Sequence, residues 1–229
     1  MAMKVVVITG GSDGLGKALA VDFCGRYQVV VLSRNEETLK QVATEASCDY
    51  RVCDVADHQQ VEQVMREIAA QYGRIDVLIN NAGVFLESEL ADASYEDIHR
   101  IISVNTIGAL YVAKAALMQM KQQGGGLLIN VISQSGINTR PYRSVYNTSK
   151  WALTGLTKAL QQEVAGYGVR VTGFYPGLLD TNFLQKAGAE PNGASMEVKE
   201  AVGAINYILS AGDETLIPEL GIKHYMRLV

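Results

Sequence analysis

Residues 4–23 read "KVVVITGGSDGLGKALAVDF". Val5, Val6, Val7 and Ile8 form a β-branched run, which favours a strand, and Thr9, Gly10 and Gly11 close it. Leu15, Leu19 and Phe23 then recur at the spacing of one helical face. This is a strand, a glycine-rich turn and a helix, and the unit repeats along the chain. The apolar runs at 28–33, 50–55, 75–81, 126–133, 169–177 and 215–222 are separated by segments with helical periodicity. Among these are a long helix predicted over 95–121, opened by Ser94 and Asp97 in the manner of a capping box, and another predicted from Tyr146 to about residue 164. Strands of near-continuous Val, Ile and Leu imply a parallel sheet covered on both faces. The expected architecture is a doubly wound α/β fold, one domain over residues 1–229 with roughly seven parallel strands.

Composition narrows the function. A net charge of −4 and a pI near 5.4, with scattered basic residues, argue against nucleic-acid and anionic-membrane partners. The N-terminal apolar run is too short for a signal sequence, and a cytoplasmic protein with no membrane span is expected. Cys24, Cys48 and Cys53 form no C-x-x-C pair, and His58, His99 and His224 show no ligand spacing, so neither a disulfide frame nor a metal is expected.

The glycines Gly10, Gly14 and Gly16, placed between the first strand and the first helix, suit a dinucleotide pyrophosphate held at a helix N-terminus. At the end of the second strand stand Ser33 and Arg34, where an acidic residue would bind the ribose 2′-hydroxyl of NAD and an arginine accommodates the 2′-phosphate of NADP. NADP(H) is therefore the expected cofactor, although Asp13 introduces a carboxylate into the glycine turn. Further along, Tyr146 and Lys150 lie four apart, so a phenol and an ammonium share one helical face.

The turn "TGGSDGLG" resembles the T-G-x-x-x-G-x-G motif of the short-chain dehydrogenase/reductase family. The resemblance extends to "NNAG" at 80–83, Asp54 in "CDV", Asn105 in "SVNTIG", Ser133 in "NVISQSG", Tyr146 with Lys150, and "YPGLLDT" at 175–181. It implies a Rossmann fold that binds NAD(P) and a catalytic set of Asn105, Ser133, Tyr146 and Lys150. Implied cofactor contacts are Thr9, Gly10, Ser12, Gly14, Leu15 and Gly16 in the first turn, and Ser33 and Arg34 after the second strand. Others are Asp54 and Val55 after the third strand, Asn81, Ala82 and Gly83 after the fourth, and Pro176, Gly177 and Thr181, besides Tyr146 and Lys150 themselves. In the family a many-membered NADP-using group carries a basic residue where this chain has Asp13.

The expected reaction is hydride transfer between the nicotinamide and a small-molecule carbonyl or alcohol. Tyr146 would act as proton donor, Ser133 would orient the substrate oxygen, and the Lys150 ammonium would favour the phenolate. In the family the lysine also holds the nicotinamide ribose and the asparagine positions a water. The loop 178–196 and the segments after Ser133 and around Tyr142 and Arg143 are expected to line the substrate pocket, where Gln134, Arg140 and Arg143 would favour a polar or acidic substrate, although surface positions explain them equally well. Reduction of 3-oxoacyl thioesters and oxidation of sugar or steroid alcohols remain open within this class, and a non-catalytic NADP-binding regulator is the rival outside it. A homodimer or homotetramer built on the helices over 95–121 and around Tyr146 is also expected.

Overall fold

The computed structural model describes residues 3–189 and 193–227. Seven strands, β1 (Val5–Thr9), β2 (Gln28–Ser33), β3 (Asp49–Val52), β4 (Val77–Asn80), β5 (Gly126–Val131), β6 (Val169–Pro176) and β7 (Glu219–Ile222), form one sheet in the order β3-β2-β1-β4-β5-β6-β7. Every neighbouring pair is parallel. This is the doubly wound Rossmann-like fold expected from the alternation of strands and helices.

Alternate strand residues point to opposite faces, and each face is covered by helices. Val5, Val7, Leu78 and Leu128 pack under α3 (His58–Tyr72) and α5 (Ala109–Gln123). Val6, Ile8, Ile79 and Phe174 pack under α1 (Gly14–Phe23), α2 (Glu36–Glu45) and α7 (Val198–Ser210). The chain leaves β1 toward the second face and β4 toward the first. A crevice therefore opens between the carboxyl ends of these adjacent strands, the place where such sheets bind ligands.

Thr9 holds the two strand ends at this crevice. It is fully buried, and its Oγ1 accepts the backbone N–H groups of Asn81 (2.9 Å) and Ala82 (3.0 Å). Asn81 returns the contact by donating its side-chain amide to the carbonyls of Thr9 (3.0 Å) and Gly10 (3.3 Å). A buried N–H left without an acceptor costs about 1–3 kcal/mol, so this one hydroxyl satisfies two groups that a valine would orphan.

A second buried network seats the long helix α6 (Ser144–Glu163) against the sheet. Asn80 donates to Asn130 Oδ1 (3.2 Å), Asn130 donates to Thr157 Oγ1 (2.9 Å), and Thr154 Oγ1 donates to the Gly136 carbonyl (3.0 Å).

The helix predicted over 95–121 runs unbroken from Tyr95 to Gln123, but its winding changes along it in three segments. These are α4 (Tyr95–Ile102), a π-helical turn Ser103–Gly108, and α5. The turn widens where Asn105 faces inward and where Gly108 lies so close to Val55 that a Cβ would meet its carbonyl oxygen at 3.0 Å. Such π turns frequently mark functional sites. The span Tyr95–Gln123 is long and apolar enough, by length and composition, to cross a membrane. Here α5 turns Val112, Ala113, Ala116 and Met120 into the sheet core.

Candidate active site

A cleft of about 580 Å³ runs along the carboxyl ends of the strands, from the glycine turn and Arg34 to Ser133, Tyr146 and Lys150. The turn has its shape because side chains would not fit. Gly10 sits at φ 65°, where a Cβ would come within 2.9 Å of Ala82 Cα, and a Cβ on Gly16 would come within 2.2 Å of the Gly10 carbonyl oxygen. Asp13 caps α1 by accepting the Gly14 N–H at 2.7 Å. Beside the turn, the hydroxyls of Ser12 and Ser33 lie 2.9 Å apart, and Arg34 stands 4.0 Å from Asp54.

The opposite end is built on α6, where one turn of about 3.6 residues brings Tyr146 and Lys150 to the same face, both buried. Lys150 Nζ lies 5.8 Å from the Tyr146 ring centroid and donates to the Val131 carbonyl at 3.3 Å. Ser133 follows β5 with φ 147° and ψ 160°, a conformation that costs a non-glycine residue about 1–3 kcal/mol and recurs at functional sites.

Burial dominates the electrostatics of this pair. It pushes the Tyr146 phenol up to about 12, while the Ser133 hydrogen bond and the Arg143 charge pull the other way. It also pushes Lys150 down to about 8. The sequence reading expected the lysine to lower the phenol. In the structure burial sets the direction for both groups, raising the phenol and lowering the ammonium, so at neutral pH the tyrosine holds its proton.

Most residues expected to touch cofactor line this cleft: Gly10, Ser12, Gly14, Leu15, Ser33, Arg34, Asp54, Val55, Asn81, Ala82, Gly83, Pro176, Gly177 and Thr181. Thr9 and Gly16 do not, and neither does Asn105 of the expected catalytic set. Thr9 ties the strand ends, and Gly16 permits the helix to pack on the turn. Asn105, buried in the π turn, accepts the Val84 N–H (2.8 Å) and donates to the Val84 carbonyl (2.9 Å) and Ser149 Oγ (3.1 Å). It fixes the chain beside Gly83, where a Cβ would lie 3.5 Å from its Oδ1 and 3.6 Å from Lys150 Nζ. Gln134 is occupied in donating to the Tyr175 carbonyl at 2.7 Å, and Tyr142, at φ 61°, is turned outward and exposed.

The sequence reading missed the apolar wall around Tyr146. Phe85 meets its ring edge-on with centroids 4.8 Å apart, and Leu184 and Leu178 close the cluster. It also missed the ion pair of Lys186 with Asp13 at 2.5 Å, which carries the loop after β6 across to the glycine turn and holds the Asp13 carboxyl below its ordinary value. No local signal announces partners so distant in sequence. Among the described residues, no group of three or more His, Cys, Asp or Glu side chains is placed to hold a metal ion.

The family model for short chain dehydrogenases matches residues 4–192. The chain belongs to the short-chain dehydrogenase family. It is similar to an "uncharacterized oxidoreductase" of Thermotoga maritima, 37% identical over 198 residues that cover 82% of this chain and 77% of the relative. Among solved structures it resembles the alcohol dehydrogenase of the archaeon Thermococcus sibiricus complexed with 5-hydroxy-NADP, at 29% identity and a TM-score of 0.84 over 96% of both chains. ElxO with NADP bound is also similar, at 29% identity and a TM-score of 0.87 over 96% of this chain and 97% of that one. This short-chain dehydrogenase is thus an oxidoreductase of that family.

The buried lysine makes the stability of this dehydrogenase depend on pH. Burial lowers Lys150 from 10.5 to about 8, so between these values the unfolded chain binds more protons and stability rises with pH. The cost is fully present below pH 8 and relieved above 10.5. Lys150→Met should therefore exceed the parent by about 2–3 kcal/mol at pH 7, after allowing for the lost hydrogen bond to Val131. That margin should shrink steadily by pH 10, as read by urea unfolding without added nucleotide.

Proposed function

We propose that this protein is an NADP(H)-dependent carbonyl reductase or alcohol dehydrogenase acting on a small molecule. The observation that carries the reading is the meeting of Ser133, Tyr146 and Lys150 in the cleft that begins at the glycine turn. The residues present fit the cofactor. The turn lacks side chains where a pyrophosphate would approach, and Ser12, Ser33 and Arg34 offer hydroxyl and guanidinium donors suited to a 2′-phosphate. Asp13 would repel that phosphate, but Lys186 offsets its charge. Asp54, Val55 and the segment 81–83 would border the adenosine, and Pro176, Gly177 and Thr181 the nicotinamide. The NADP-bound relatives support the same choice.

When bound, the nicotinamide supplies or accepts the hydride. In the reducing direction the substrate oxygen gains negative charge, and Tyr146, protonated at neutral pH, donates the proton that neutralises it. Ser133 orients that oxygen. Lys150, with its pKa about 8, is the group beside Tyr146 able to gain or lose a proton near neutrality and so to restore the phenol. Asn105, fixed by its bonds to the Val84 backbone and Ser149, would position a water that continues the proton relay. The loop 178–196, of which 190–192 lie outside the described residues, would line the substrate pocket. A family dehydrogenase on this plan is read as a homodimer or homotetramer joined through the outer faces of α5 and α6, where Leu110, Met118 and Trp151 remain exposed.

Three measurements test this reading. Tyr146→Phe should lower kcat by roughly 10²–10⁴ on any carbonyl the parent reduces, with NADPH affinity nearly unchanged in a fluorescence titration. Full activity in that variant would remove Tyr146 from its role. Arg34→Ala should lower the NADPH/NADH ratio of kcat/KM by roughly 10- to 100-fold, the value of one charge-assisted hydrogen bond to phosphate. Light scattering at tens of micromolar should find a dimer or tetramer, and a monomer alone would refute the proposed helix contact.

A further inference from the structure

The end of the cleft away from Arg34 gathers cationic side chains on its lining, with Glu87 paired to one of them. Arg140 and Arg143, from the turn before α6, line it together with Lys223 and Arg227 from the segment after β7. Arg143 is held in place rather than left at the surface. Its guanidinium lies 5.0 Å over the Phe85 ring, its Nε (3.2 Å) and Nη2 (3.1 Å) both donate to Glu87 Oε1, and its side chain is only 12% exposed. Arg227 is tied to the same end by donating Nε to the Ala194 carbonyl at 2.5 Å. Burial and the nearby charges of Arg140 and Arg143 hold the Arg227 guanidinium below its ordinary value.

Among the described residues, the carboxylates lining the cleft are Asp13 and Asp54, both at its opposite end. Cations gathered beside a cleft repel one another and raise the local concentration of anions. Between them and Tyr146 runs the apolar wall of Phe85, Leu178 and Leu184. The sequence reading grouped Gln134, Arg140 and Arg143 as residues that would favour a polar or acidic substrate, with surface positions an equal explanation. The structure separates them, since Gln134 is committed to the Tyr175 carbonyl.

We propose that Arg140 and Arg143, with the charge of Arg227 behind them, form an anion subsite, and that the substrate carries a carboxylate or phosphate separated from its reacting carbonyl by an apolar spacer. A guanidinium fork matches either oxyanion. The anionic group takes no part in the bond changes; it anchors the far end while hydride and proton reach the carbonyl. The inference rests on the reductase reading above and narrows its substrate class.

The test compares 4-carboxybenzaldehyde, 4-formylphenyl phosphate and methyl 4-formylbenzoate as substrates with NADPH. The better of the two anions should exceed the ester in kcat/KM by about 10-fold or more, and whichever anion leads identifies the group. That ratio should fall about 10-fold in Arg140→Gln. It should fall likewise in the double variant Arg143→Gln/Glu87→Gln, which removes the guanidinium without stranding its carboxylate. An ester preferred over both anions, or a ratio unmoved in both variants, overturns the subsite and leaves the reductase reading intact. Calorimetry with 4-phenylbutanoate against 4-phenylbutanol, with and without NADP⁺, reads the subsite without turnover. Tighter acid binding that weakens in Arg140→Gln, in a protein that reduces none of the aldehydes, keeps the anion subsite and sinks the reductase reading. Equal affinity for acid and alcohol overturns the subsite.

Discussion

The hydroxyl of Thr9 is the contact on which the cleft depends. β1 and β4 are hydrogen-bonded neighbours, yet the chain leaves them toward opposite faces of the sheet, and their exposed ends would part without a tie. Thr9 accepts two N–H groups from the far side, and Asn81 donates two hydrogen bonds back. This clamp sets the distance between the glycine turn and the segment 81–83, and thus the width of the crevice. Gly10 and Gly16 then allow the turn and α1 to close against it without a steric obstacle.

On the same face of the sheet, the Thr9 hydroxyl donates to Asn80 Oδ1 at 3.5 Å, and the buried chain of Asn80, Asn130 and Thr157 carries that positional order to α6. Buried polar groups satisfied by one another resist small shifts, because any displacement leaves a donor without an acceptor in a low-dielectric interior. Tyr146 and Lys150 inherit this rigidity. Burial also sets their protonation, keeping the phenol intact and bringing the ammonium close to neutrality. A packed helix face therefore decides both where Tyr146 and Lys150 stand and in which direction burial shifts each of them.

The loop after β6 joins the two ends of the cleft. Leu184 packs with Phe85 on Tyr146, Thr181 lies against Gly14, and Lys186 reaches Asp13. The ion pair is solvent-exposed and contributes little stability by itself, about 0–1 kcal/mol. Its value is positional. It brings a cation to the carboxylate that the sequence places in the turn, and it carries the loop across the crevice from Tyr146 to the glycine turn.

The sequence by itself determined the alternation of strands and helices, the parallel doubly wound sheet, the glycine turn and the shared face of Tyr146 and Lys150. Each of these rests on periodicity or spacing within a few residues, where backbone geometry leaves little choice. Family spacing also marked Ser133 and Asn105, but only the tertiary structure showed Asn105 buried in a π turn beside Gly83. Thr9 likewise became a clamp and Gly16 a packing position. The protonation of the Tyr146–Lys150 pair required knowing how completely both are buried, and periodicity reports a face without reporting what covers it. Asp13 and Lys186 lie 173 residues apart, and Arg143 is 56 from Glu87. The gathering of arginines at the substrate end draws on segments before α6 and after β7. Such meetings depend on how whole elements pack, and the long-range path of the chain decides them.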